Sequence, residues 1–71
     1  MAQLIGEVEK NQSESIRISI EEFRNHRFVD LRVYWRDGDT LRPSKKGIAL
    51  NNECIDKVIT MLQQASKAME V

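Results

Sequence analysis

Ile16, Ile18 and Ile20 alternate with Arg17, Ser19 and Glu21, a period of two that predicts a half-buried β-strand. The same period governs residues 27–35. Val29, Leu31, Val33 and Trp35 fall on one face, while Phe28, Asp30, Arg32 and Tyr34 fall on the other. Between them, Glu22 to His26 reads as a polar connection carrying one exposed aromatic, Phe23. Leu4 to Glu9 is a shorter, mixed strand, closed by the polar turn Asn11–Ser15. Arg36 to Thr40 holds an Asp-Gly pair, the strongest short hairpin signal. Leu41 to Leu50 follows as a strand interrupted by Pro43 and Gly47, which predicts an edge or bent strand.

The period then lengthens to that of a helix. Asn51 is a suitable N-cap, Glu53 complements the dipole in the first turn, and the helix is expected to run to about Met69. Ile55, Val58, Ile59, Leu62, Ala65 and Met69 form its apolar stripe, and Cys54, Met61 and Ala68 widen it to roughly half the circumference at 100° per residue. The opposite half is polar throughout. A face this broad exceeds what one small sheet covers, so the surplus is read as a homodimer surface. The alternative is a single curved sheet wrapping the helix. Either way, residues 1–71 make one β-β-β-β-α domain of the α+β class.

Size strengthens the dimer reading. A chain of 71 residues buries a small core and needs a disulfide, a metal or a partner chain to support it. Cys54 is the lone cysteine and His26 the lone histidine, so neither an internal disulfide nor a four-ligand zinc site is available. No cofactor or metal is expected. There is no apolar run of about 18 residues and no basic-then-apolar leader, so the expectation is a cytoplasmic protein with no membrane partner.

Net charge is zero, but it is unevenly distributed. Residues 1–16 carry minus two and residues 48–71 minus one, whereas residues 17–47 carry eight basic against five acidic side chains. Six of those eight are arginine, suited to phosphate forks and base stacking. Phosphate loops, metal-ligand spacings and nucleophile elbows are lacking, and the one conceivable dyad, His26 with Cys54, pairs a loop residue with an apolar helix edge. The chain therefore does not read as an enzyme. What remains is a set of cations interleaved with aromatics: Phe23, Arg24, His26, Arg27 and Phe28, then Arg32, Tyr34, Trp35 and Arg36, then Arg42, Lys45 and Lys46. Single-strand binding needs both a cationic track and flat side chains. By the same residues, Phe28 and Trp35 also fit a core, and Arg32 with Asp30 also fits a cross-strand salt bridge.

The stretch from Ile18 to Asn51 resembles the positive-cofactor-four family of transcriptional coactivators. The matching segments are Phe23-Arg24-Asn25-His26, Asp30-Leu31-Arg32-Val33-Tyr34-Trp35 and Arg42-Pro43-Ser44-Lys45-Lys46-Gly47-Ile48-Ala49-Leu50-Asn51. The resemblance implies a curved four-stranded antiparallel sheet, a C-terminal helix, and a homodimer with paired single-strand grooves. It also implies nucleic-acid contacts at Phe23, Arg24, His26, Arg32, Trp35, Arg42, Lys45 and Lys46. Arg24 and His26 stand where the family has lysines, a departure at two of the implied contacts. Asn25 stands where the family has glycine and still tolerates left-handed geometry. The long Ser- and Lys-rich tail of eukaryotic members is not present, which points to a compact prokaryotic or phage type.

The expected function is sequence-tolerant binding of single-stranded or unwound DNA by a homodimer, in transcription, replication or repair. RNA and proteins of transcription or replication are the further partners considered. The rival reading is an interaction adaptor whose basic sheet docks an acidic protein.

Overall fold

The computed structural model describes residues 3–70; Met1, Ala2 and Val71 lie outside it. Four strands are followed by one helix: β1 Gln3–Glu9, β2 Glu14–Phe23, β3 His26–Asp37, β4 Thr40–Leu50 and α1 Ile55–Met69. The strands form one antiparallel sheet in chain order, so every connection within it is a hairpin.

The hairpin boundaries differ from the sequence reading for reasons of turn chemistry. The connection expected over residues 22–26 shrinks to Arg24–Asn25, because Phe23 and His26 pair directly and extend both strands. Both turn residues take positive φ, 51° and 65°, as a tight hairpin twisted like its strands requires. In the next hairpin the turn is Gly38–Asp39, flanked by the Asp37–Thr40 pair. Gly38 thus takes the first turn position at φ 65°, which glycine occupies without steric cost.

Cross-strand partners share a face of a sheet, so the register sorts the side chains. Ile16 faces Val33, Ile18 faces Leu31 and Ile20 faces Val29; Leu31 and Val29 in turn face Ile48 and Leu50. These form the apolar face. In β1 a register shift between Leu4 and Gly6 inserts Ile5, which joins the same side. The other face carries Ser15, Arg17, Ser19, Glu21 and Phe23 from β2, matched to Tyr34, Arg32, Asp30, Phe28 and His26 from β3.

The helix begins at Ile55, later than the Asn51 start expected from sequence, because residues 52–54 form a turn instead. Asn51 nevertheless satisfies the entrance: its Oδ1 accepts from the Glu53 and Cys54 amides, both at 3.0 Å. Ile55, Val58, Ile59 and Leu62 face Ile5, Ile18, Ile20, Val29, Leu31 and Leu50 across an apolar groove of about 310 Å³.

That groove is open. Leu50 is the one hydrophobic residue buried among the described residues, and no residue of α1 is buried. The sheet does not wrap the helix. The solvent-accessible surface is 6140 Å², where a compact monomer of this mass exposes about 4,600 Å². The radius of gyration is 13.7 Å against about 11 Å for a compact chain of this length.

Candidate nucleic-acid interface

The β2–β3 hairpin brings Phe23, Arg24 and His26 together. Phe23 ends β2 with 62% of its surface exposed, on the face opposite the apolar one. The Arg24 guanidinium carbon lies over its ring, 5.1 Å from the centroid. Holding an arginine at positive φ costs of order 1 kcal/mol, and such strain concentrates at functional positions. His26 and Arg27, both exposed, open β3 beside this pair.

A second group surrounds an irregularity in β4. Arg32 pairs with Gly47 and Tyr34 with Pro43, so residues 44–46 bulge out opposite Val33. Lys45 and Lys46 are exposed in this bulge and have no ion-pair partner among the described residues. Arg32 is differently placed. Its Nε and Nη2 donate to the two Asp30 carboxylate oxygens at 3.1 and 3.0 Å, and its Nη1 donates to the Ser44 carbonyl at 2.8 Å. The bridge to Asp30 runs along one strand, two residues apart, instead of across strands. The Asp30 carboxylate raises the Arg32 pKa above the ordinary arginine value.

Trp35 and Arg42 form a third group. They are register partners, with Glu14 on the other side of Trp35. This places Trp35 on the apolar face with Val33 and Leu31, yet at its charged end and 42% exposed. Arg42 Nε donates to Asp37 at 2.6 Å in an exposed pair. Exposed pairs of this kind are worth about 0–1 kcal/mol, so a phosphate can displace Asp37.

The polar face also holds a constellation that the sequence pattern alone does not single out. The Arg17 guanidinium sits 4.5 Å from the Tyr34 ring centroid and donates to Glu7 at 2.6 Å. Period-two parity puts Arg17 and Tyr34 on one face, but only the register makes them diagonal neighbours. Arg36, on the same face, is exposed with no ion-pair partner among the described residues.

Among the described residues no three metal-ligating side chains cluster, and no helix is long and apolar enough to cross a membrane. The Cys54 thiol is turned onto the Asn51 carbonyl at 3.7 Å.

Residues 10–61 match the sequence model of the family described as Transcriptional Coactivator p15 (PC4). A PC4 homologue of known structure from Burkholderia pseudomallei superposes with a TM-score of 0.86 at 35% identity, covering 92% of this chain and 89% of that one. An RNA polymerase II transcriptional coactivator from Drosophila melanogaster is 32% identical over 54 residues, 76% of this chain and 49% of the fly protein. The coactivator SUB1 of Saccharomyces cerevisiae is 36% identical over 45 residues, 61% of this chain and 15% of the yeast protein. The chain thus spans half or less of these two eukaryotic relatives, and most of the bacterial one.

Proposed function

Given that this chain belongs to the Transcriptional Coactivator p15 (PC4) family, we propose that it binds single-stranded or unwound DNA without strong sequence preference, as a homodimer. The observation that carries this reading is Phe23: a large aromatic, 62% exposed, at the tip of a hairpin with Arg24 over its ring and His26 opposite. An exposed ring backed by cations offers a base a stacking surface and its phosphate a counter-charge. The neighbouring cations extend the track. From His26 to Val33, where the lysine bulge lies, β3 covers about 23 Å at roughly 3.3 Å per residue.

The dimer rests on the uncovered apolar groove. The surface in excess of a compact monomer is about 1,500 Å², within the range that one partner of an obligate homodimer buries. Phe23 and Trp35 lie on opposite faces of the sheet. One strand touching both within a protomer has to round the sheet edge, whereas a dimer can present them from different protomers. A role in transcription is supported by the coactivator names of the fly and yeast relatives.

The deciding experiment is a titration of labelled poly-dT against a matched duplex at equal ionic strength. Tighter binding of the single strand is expected. Equal affinity for both, falling steeply with salt, would replace this reading with that of a basic surface for acidic proteins.

A further inference from the structure

Arg32 lies in the middle of the cationic track, yet its hydrogen-bonding fork is directed inward. Three of its nitrogens donate within the protein: two to Asp30 and one to the Ser44 carbonyl. The path to Ser44 runs across Gly47. A Cβ built on Gly47 would lie 2.7 Å from the Arg32 guanidinium carbon and 2.9 and 3.0 Å from its two terminal nitrogens. No side chain fits there while the guanidinium stays in place. Gly47 does not adopt positive φ, so its lack of a side chain answers to this contact and not to backbone conformation.

Ser44 is held twice more. Its hydroxyl donates to the Val33 carbonyl at 2.7 Å and accepts from the Lys46 amide at 3.1 Å, using the hydroxyl as both donor and acceptor. The chain from Asp30 through Arg32 to Ser44 thereby ends at the backbone of Lys46. A bulge leaves its residues without ladder partners, so these bonds replace the missing ones.

We infer that Arg32 is a positioning residue, clamped between Asp30 and Ser44 across Gly47 so as to fix the bulge that presents Lys45 and Lys46, and that it does not itself contact the nucleic acid. This assignment rests on the proposed single-strand reading, within which it moves Arg32 from ligand contact to support. An ammonium cannot reproduce a planar fork that bridges a carboxylate and a carbonyl, so charge alone does not substitute for it.

Two readouts separate the clamp from the site. The first needs no DNA: hydrogen exchange of the Lys46 amide in Arg32→Ala, Arg32→Lys and Gly47→Ala, with β2 amides as the control for folding. Faster exchange at Lys46 with β2 unchanged is expected in all three; unchanged protection at Lys46, or equal loss throughout β2, overturns the clamp. The second is poly-dT affinity in a double-mutant cycle. Arg32→Ala should weaken binding about 3- to 30-fold, inside the range of coupling within one bonded network. Arg32→Lys and Gly47→Ala, which keep every charge, should weaken it similarly. In the Lys45→Ala, Lys46→Ala background the Arg32 change should add nothing. A full additive loss there makes Arg32 a direct phosphate contact and overturns the inference. If the lysine double variant binds poly-dT as well as the native protein, the single-strand reading of this bulge fails, while exchange at Lys46 still judges the clamp.

Discussion

The guanidinium of Arg24 sits over the ring of Phe23, 5.1 Å from its centroid, on the face a base would take. Exposed cation–π contacts are worth about 0.5–1 kcal/mol, whereas stacking a base on an aromatic is worth about 1–3 kcal/mol. In the proposed single-strand complex a base would therefore displace Arg24 or sandwich the ring against it, freeing the guanidinium for a neighbouring phosphate.

Phe23→Ala should lower poly-dT affinity about tenfold, the equivalent of 1.4 kcal/mol. Duplex affinity should barely move, because paired bases are already stacked on one another. The melting temperature should also hold, since Phe23 is mostly exposed and packs on no apolar neighbour across the ladder, where His26 stands. Equal losses for both DNA forms, or a large drop in melting temperature, would make Phe23 a packing residue.

Assembly offers an independent check. Leu62 lines the open groove and is 57% exposed; Met61, on the stripe's shoulder, is 59% exposed. In a monomer, exposed positions of this kind accept charge with effects within about 0.5 kcal/mol. In a dimer, an unpaired charge there is desolvated and costs several kcal/mol. Leu62→Glu or Met61→Glu should therefore yield monomers or unfolded chains by light scattering at micromolar concentration. A native protein that scatters as a folded monomer refutes the dimer.

The sheet and the helix were legible because they are written in local periods. The alternation of Ile16, Ile18 and Ile20 with Arg17 and Ser19, and the stripe from Ile55 to Met69, each fix an element without reference to any other. The breadth of that stripe was legible too, and it matches a helix with no buried residue. Pairing was not legible. Pro43 and Gly47 marked β4 as an edge or bent strand, but nothing local shows that residues 44–46 bulge opposite Val33, because the register shift lies between strands, where Arg32 reaches across Gly47. The same blindness applied to the hairpin, where local polarity suggested a longer connection but two residues in left-handed geometry sufficed.

Lys45→Ala with Lys46→Ala should weaken binding to all sequences alike, because phosphate contacts carry no base information. Each lost contact removes about 0.7 from the log–log salt slope on a single strand, so the double variant should lose about 1.4. An unchanged slope would place the phosphates elsewhere, with the exposed Arg27 and Arg36 the next candidates.

Trp35 is the lone tryptophan, so its emission reports on one position. Its register neighbours are Glu14 on β2 and Arg42 on β4, and a dry interface core does not surround an indole with charges. The ring instead stands where the apolar face of Val33 and Leu31 gives way to solvent, with Arg42 beside it for a phosphate. This repeats on one face the pairing of an exposed aromatic with an arginine that Phe23 and Arg24 make on the other. Saturating poly-dT should therefore quench the emission, and duplex should quench it far less. Trp35→Ala should cost about 1–3 kcal/mol of single-strand affinity, as for any stacking aromatic, while the dimer persists in light scattering. Dilution gives the opposite test. If emission shifts when the dimer is diluted to monomers but ignores saturating poly-dT, Trp35 belongs to the interface between protomers, and the bases stack on Phe23 without it.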